Sequence, residues 1–190
     1  MTVATKSKKR TDFIELVCES LTTDEIFNTI DYKNQSEDKI KQFTYPHMVN
    51  ALTEYIVEEM GKTRESARKF VKQRLKWEGN VNTTVHHTLF MGTRNRPDMV
   101  LEMSGVNIAI EFKKGDTGNS LRSGLGQSLI YSKDYDFVIY LFIDTSKDGK
   151  IKNSEDNKKE KELVEDLWKR YNIKFKVGTT LLQEETLYII

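Results

Sequence analysis

The sequence predicts a mixed α/β domain with a central sheet flanked by helices. Three observations predict this class. Residues 46–60 carry apolar side chains at three- and four-residue spacing, which is typical of an amphipathic helix. Residues 137–143 form a continuous apolar run, which is typical of a strand buried on both faces. Between them, residues 98–113 alternate around Ser104-Gly105, as the two strands of a hairpin would.

Composition sets broad limits on structure and partners. The 190 residues are enough for one substantial domain, which we expect to span 1–190. The chain has 30 basic and 29 acidic residues, so its net charge favours no particular partner. The sole cysteine, Cys18, allows neither an internal disulfide nor a thiolate zinc site, and we expect it to be buried. Because no signal peptide or membrane-spanning run is found, we expect a cytoplasmic protein without a membrane partner.

The first half of the chain predicts helices. Residues 1–45 form an N-terminal helical extension, with helical packing over 11–30 and a polar loop over 31–42. Pro46 is expected at the first position of the first core helix, because proline is favoured there, and Gly61 ends that helix. A second helix is expected over 63–77.

The second half predicts strands separated by helices. The core over 46–144 is completed, in order, by a strand over 81–90, the two hairpin strands, a helix over 119–132 and the strand over 137–143. A charged loop over 145–161, a helix through Trp168, and strands at 173–177 and 186–190 form the C-terminal part, 145–190.

The hairpin brings two carboxylates together. If Ser104 and Gly105 form a two-residue turn, Met103 faces Val106 and Asp98 faces Glu111. Directly opposed residues have Cβ atoms about 4.5–5.5 Å apart. Glu111 and Lys113 lie two residues apart, so both side chains point to the same face of the sheet.

Two adjacent carboxylates repel each other unless a cation lies between them, and a hard divalent ion prefers such oxygen ligands. A bound metal ion activates water and polarises a phosphoryl oxygen, and the lysine can orient or deprotonate the water or stabilise charge on the phosphate. The backbone carbonyl of Phe112 is a further candidate ligand. This set of residues predicts phosphodiester hydrolysis.

The arrangement resembles the PD-(D/E)XK nuclease superfamily, which has the restriction-endonuclease-like fold. The resemblance rests on Pro97-Asp98, on Glu111-Phe112-Lys113, on Gln127 and Tyr131 in the following helix, and on the αβββαβ order over 46–144. It implies a Mg²⁺-dependent nuclease, with Mn²⁺ as a substitute, whose commonest substrate is DNA. It also implies that two copies could pair as a homodimer to cut two strands.

The resemblance extends to particular residues. It implies catalytic roles for Asp98, Glu111, Lys113 and Gln127, with the metal held by Asp98, Glu111 and Phe112. A glutamate of the first core helix often joins such sites, and Glu54 is preferred here over Glu58 and Glu59. The expected nucleic-acid contacts are Arg94, Arg96, Lys114, Gln127 and Tyr131.

Other functions remain open at this point. The chain could be a nucleic-acid-binding module that no longer cleaves, or a nuclease directed at RNA or at strand ends. The cluster of Asp98, Glu111 and Lys113 could also be an ordinary ion-pair network of the surface.

Overall fold

The computed structural model describes residues 6–22, 34–78 and 85–179. The helices, in chain order, are α1 (Lys8–Leu21), α2 (Glu37–Met60), α3 (Arg64–Arg74), α4 (Gly118–Tyr131), α5 (Lys150–Asn153) and α6 (Lys158–Tyr171). The strands are β1 (Leu75–Trp77), β2 (Thr88–Phe90), β3 (Thr93–Asn95), β4 (Met99–Met103), β5 (Val106–Gly115), β6 (Phe137–Asp144) and β7 (Ile173–Thr179). The predicted mixed α/β class is confirmed.

Within the described residues, the central sheet has five strands in the order β1-β4-β5-β6-β7. β1, β4 and β5 are antiparallel, whereas β5, β6 and β7 are parallel. β2 and β3 form a separate antiparallel hairpin. β5 is therefore a central strand, with β4 along one side and β6 along the other.

The hairpin of β4 and β5 has the predicted register. Met103 faces Val106 and Met99 faces Ile110, so the next opposed pair, beyond the last bonded one, is Asp98 with Glu111. The turn residue Ser104 has φ 56° and Gly105 has φ 72°, as a two-residue turn of this type requires. The turn thus fixes which carboxylates meet.

The two faces of the sheet belong to different cores. Ile108, Ile110 and Phe112 of β5 pack with apolar residues of α1, α2 and α3. Ala109 packs on the opposite face with residues of β6, β7 and α4. Glu111 shares that second face because it alternates with Ile110 and Phe112.

The first core helix begins earlier than predicted. α2 begins at Glu37, so the prediction of a polar loop over 31–42 is wrong for its last six residues, and Pro46 lies inside the helix. The Ser36 hydroxyl accepts a backbone hydrogen bond from the first turn, and acidic residues follow it, which favours a helix start there. An internal proline costs about 3 kcal/mol, which burial of neighbours such as Met48 offsets.

The helix predicted over 63–77 ends at Arg74, and its last three residues form β1 instead. Leu75 has an extended backbone and pairs with Leu101 of β4, so β1 occupies that edge. The prediction that a strand over 81–90 is the first strand of the central sheet is therefore wrong for 85–90, whereas 81–84 lie outside the described residues. Only Thr88–Phe90 of that range forms a described strand, and it pairs with β3.

The later elements follow the prediction more closely. α4 and β6 lie where expected, and all eight residues of β6 are buried. The prediction of a charged loop over 145–161 is wrong for 150–153, which form α5, and for 158–161, which belong to α6. α5 begins where the buried Asp144 carboxylate accepts the backbone N–H groups of Ile151 and Lys152. The strand expected over 186–190, and the helical packing expected at Ile26 and Phe27, fall outside the described residues.

α4 lies close against β6. A Cβ atom added at Gly124 would lie 2.5 Å from the Tyr140 side chain, so only glycine fits without a shift. Cys18 is buried, as predicted. No helix of the described ranges is long and apolar enough to span a membrane.

Candidate active site

Asp98 lies where the chain enters β4 and is 8% exposed. One carboxylate oxygen, Oδ1, accepts a hydrogen bond from the Lys41 ammonium at 2.8 Å. The other, Oδ2, accepts the backbone N–H of Phe112 at 2.8 Å. Each oxygen therefore has a donor, and the Phe112 bond ties Asp98 to the neighbouring strand next to Glu111.

Glu111 is the most buried acidic group of this cluster, at 2% exposed. Its Oε1 lies 3.3 Å from the Lys113 ammonium, whereas its Oε2 is buried and accepts no hydrogen bond within the described residues. Burial, followed by the charge of Asp98, raises the Glu111 pKa to about 8, although the nearby Lys113 ammonium acts in the opposite direction. A buried acceptor without a partner is costly, so this oxygen needs an explanation.

Lys113 lies between two carboxylates. Its ammonium is 3.3 Å from Glu111 Oε1 and 3.6 Å from Glu37 Oε2. Burial lowers the pKa of Lys113, but the nearby carboxylates outweigh burial, and the net shift is upward. Lys113 is therefore held as an ammonium and is positioned as a cation.

α4 covers the same face of the sheet as Glu111. The Tyr131 hydroxyl donates to the Arg96 carbonyl at 2.8 Å. Burial raises the Tyr131 pKa, and the Glu111 and Asp98 charges raise it further, which places this ring beside the carboxylate pair. Gln127 lies one turn earlier on the same helix face, and its side-chain oxygen is buried without a hydrogen-bond partner in the described structure.

Comparison with family models, with curated proteins and with solved structures finds no match.

The structure brings most of the predicted catalytic residues together, but not Glu54. Glu54 lies thirteen positions after Lys41 on α2, which is about 20 Å along the helix axis, and Lys41 itself contacts Asp98. Glu54 instead forms an exposed ion pair with Arg64. The prediction that Glu54 joins the cluster is wrong. Glu59 is likewise paired with a surface lysine of α1.

Two residues of the cluster were missed in the sequence, and both lie in the first turns of α2. Glu37 accepts the backbone N–H of Lys114 at 3.1 Å and lies beside Lys113. Lys41 is 5% exposed and bonds Asp98. The cap sequence Ser36-Glu37-Asp38 was the available signal, because it moves the start of α2 back to the site.

The predicted nucleic-acid contacts lie in different surroundings. Arg94 is exposed on β3, and Arg96 reaches within 3.5 Å of Glu78. The Lys114 ammonium donates to the Gln35 carbonyl at 2.6 Å, so this lysine joins β5 to the start of α2.

The residues predicted to hold a metal can be tested against these contacts. Within the described ranges, no three His, Cys, Asp or Glu side chains form a group that could hold a metal ion. The predicted set is smaller, with two carboxylates and one carbonyl. Its fit to a hard cation rests on Glu111 Oε2, which is buried, unpartnered and beside a second carboxylate.

Proposed function

We propose that this chain is a metal-dependent nuclease of the restriction-endonuclease-like type that cuts DNA internally. The observation that carries the proposal is the buried pair of Asp98 and Glu111 beside the Lys113 ammonium, with one Glu111 oxygen left without a partner. A carboxyl group held in this way costs stability, and such perturbed groups concentrate at functional sites. The sheet order around β4, β5 and β6, with α4 over the site, supports the same family.

Asp98, Glu111 and the Phe112 carbonyl are the residues that would hold Mg²⁺ or Mn²⁺. The Phe112 N–H is directed at Asp98, and in an antiparallel ladder the carbonyl of the same residue points to the same side. When bound, the cation would supply a water of lowered pKa and would neutralise charge on the phosphate. Its positive charge would also lower the Glu111 pKa and keep that carboxylate ionised.

Lys113 acts as a charged donor in this proposal. Its raised pKa keeps the ammonium protonated at neutral pH, so it serves better to hold a phosphate oxygen or a water than to remove a proton. Glu37 and Glu111 fix the ammonium from two sides. Removal of one such donor typically lowers the rate of a reaction about 100- to 1,000-fold.

DNA is proposed as the substrate on the analogy with the family alone. The arginines that precede Asp98 favour a nucleic acid, since Arg94 and Arg96 lie within four residues of that carboxylate. An RNA substrate or an attack on strand ends would use the same site.

A second candidate function is binding without cleavage. It is favoured by the Asp98 contacts, because Lys41 and the Phe112 N–H already occupy both carboxylate oxygens. In that case the Lys41–Asp98 pair is a structural link between α2 and the hairpin, and no cation is needed there.

Cleavage assays separate these functions. The purified protein is incubated with supercoiled plasmid, linear duplex, single-stranded DNA and RNA, each with Mg²⁺, Mn²⁺ or EDTA. Lys113→Met should lower the metal-dependent rate by at least about 100-fold, because it removes the donor beside Glu111. Lys169→Met is the control, since the Lys169 ammonium pairs with Glu165 on the exposed surface of α6.

The outcomes are distinct. Nicked or linearised plasmid in the presence of metal supports an endonuclease, whereas products only from free ends would identify an exonuclease. No cleavage of any substrate, together with retained binding to DNA, would overturn the nuclease proposal and support the binding module. Unfolding curves for both variants show whether a lost activity reflects lost folding.

A further inference from the structure

The β2–β3 hairpin exposes large apolar side chains beside the candidate active site. Leu89 is 55% exposed, Phe90 is 52% exposed and Met91, at its tip, is 86% exposed. A single exposed apolar residue needs no explanation, but three consecutive ones on a projecting turn do. Folding alone gives no reason for them, because their burial in this chain is small.

The turn of this hairpin contains a residue that its backbone conformation disfavours. Met91 has φ 49° and Gly92 has φ 76°, which is the pattern of a two-residue hairpin turn with both residues in the left-handed region. Asparagine or glycine is favoured at the first of these positions, and a long side chain is not. A methionine there is unfavourable for the backbone and leaves its side chain in solvent, so an interaction outside the chain accounts for it better.

The base of the hairpin is fixed while its tip is exposed. Thr88 is buried, and Phe90 lies along a groove formed with Gly126, Leu129 and Ile130 of α4. The strand that leaves the hairpin is held by the hydrogen bond from Tyr131 to the Arg96 carbonyl. The hairpin is therefore anchored at its base, and its exposed tip is free to contact a partner.

The charge of the hairpin matches a phosphate backbone. Residues 85–97 include two arginines and no aspartate or glutamate, and of the two Arg96 lies near Glu78 whereas Arg94 is exposed on β3. Arg94 is directly opposed to Leu89 in the register, so a basic and an apolar side chain share one face of the hairpin. Lys133 adds a further positive charge at the α4 groove. This combination fits a nucleic acid better than a second apolar protein surface.

We propose that the β2–β3 hairpin is a wedge that inserts Met91 and Leu89 between the bases of a bound duplex, while Arg94 holds a phosphate. The proposal rests on the proposed nuclease function and deepens it, because it names the substrate class: duplexes with weakened stacking, such as mismatched, nicked or branched DNA. Apolar side chains inserted in this way unstack a base step, which is easiest where stacking is already weak.

The reach of the chain limits where the wedge acts. Asp98 lies seven positions after Met91, so their Cα atoms are at most about 25 Å apart even if that segment is fully extended. Base pairs are spaced about 3.4 Å along one strand. The wedge therefore enters within about seven base pairs of the phosphate that lies at the carboxylate pair.

The test measures binding and base unstacking without turnover. Duplexes of 30 base pairs, with and without a two-base mismatch, carry 2-aminopurine at successive positions, and binding is followed in EDTA and in Ca²⁺. The wild-type protein should prefer the mismatched duplex by at least about tenfold and raise the fluorescence of one or two adjacent positions. The double variant Leu89→Ser, Met91→Ser should lose both effects. Met60→Ser, which alters another exposed methionine at the C-terminal end of α2, should keep them.

Arg94→Ala tests the charge separately. It should weaken binding to all duplexes and reduce the dependence of affinity on salt by about one ion, with the mismatch preference retained.

Several results would overturn the wedge. One is that the double variant keeps the mismatch preference and the fluorescence rise. Another is a wild-type protein that sediments as a dimer, with the double variant monomeric and unchanged in DNA affinity, because the hairpin would then be a protein interface. A protein that cleaves DNA normally with the wedge removed refutes this inference and leaves the nuclease proposal intact. A protein that unstacks DNA but never cuts it supports the wedge and refutes the nuclease proposal.

Discussion

Replacing Glu111 by glutamine should make the metal-free protein more stable than wild type at alkaline pH. Burial and, second, the Asp98 charge together raise the Glu111 pKa to about 8 in the folded state, whereas the carboxyl of an unfolded chain titrates near 4.5. Between those values the folded protein holds a proton that the unfolded chain has lost. The stability that this proton supplies is complete below pH 4.5 and is lost as the pH rises through 8.

The size of the effect follows from the shift. Each pH unit within the window costs the wild-type protein about 1.36 kcal/mol of unfolding free energy, which gives about 4 kcal/mol between pH 5 and pH 8. Water that enters the site when the carboxyl ionises will reduce this figure, so it is an upper bound. A glutamine keeps the shape of the side chain and does not titrate, so Glu111→Gln should not show this loss.

Urea unfolding in EDTA, followed by tryptophan fluorescence, measures the difference at pH 5 and pH 8. Trp77 and Trp168 both pack against the core of the α1–α3 face and report its disruption. Glu102→Gln is the control, because the Glu102 ion pair with Lys76 is partly exposed and contributes little. Mg²⁺ should recover stability at pH 8 for wild type and not for Glu111→Gln. If the unfolding free energies of wild type and Glu111→Gln change equally between pH 5 and pH 8, the explanation by the buried carboxyl is refuted.

Two further predictions concern the packing around the site. Lys41→Met should lower the unfolding free energy by about 3–5 kcal/mol, because it leaves the Asp98 carboxylate buried without its cation, and adding Asp98→Asn should recover part of the loss in urea titrations. A double variant no more stable than Lys41→Met would contradict this. Gly124→Ala should lower the thermal midpoint, because its Cβ would lie 2.5 Å from Tyr140, at a cost of about 1–3 kcal/mol. Gly126→Ala, which meets nothing within 4 Å on the same helix, should raise stability by about 0.5–1 kcal/mol, and equal effects of the two changes would contradict the packing argument.

The hairpin of the site could be read directly from the sequence, because its geometry is local. A two-residue turn at Ser104-Gly105 determines every opposed pair, and the alternation of apolar residues determines which face each side chain takes. The placement of Asp98 opposite Glu111, with Lys113 on the Glu111 face, followed from those two facts. The buried strand β6 was equally clear, since a run of apolar residues of that length fits few other structures.

The contributions of α2 could not be read in the same way, because they depend on where a distant helix packs. A proline favours a helix start, and at Pro46 that preference was outweighed by the Ser36 cap and by core packing on both sides. With the start of this helix placed at Pro46, the glutamates after Pro46 are the only acidic residues of the helix that could join the site. Glu37 precedes Pro46 and was therefore overlooked. β1 was missed because its three residues continue the polar–apolar pattern of α3 in the sequence. Only the pairing of Leu75 with Leu101 of β4, which the sequence does not reveal, makes them a strand.

The mixed direction of the strands has a consequence for the order in which the molecule assembles. β4 and β5 are joined by a two-residue turn, so their pairing needs almost no loop closure and can form within microseconds. The parallel ladders of β5 with β6 and of β6 with β7 each await a helical crossover, which makes them slower contacts of long sequence separation. The carboxylate pair would then be brought together in the earliest part of the sheet to form. The repulsion between the two carboxylates would then destabilise that early hairpin until α2 packs against it and places the Lys41 ammonium beside Asp98.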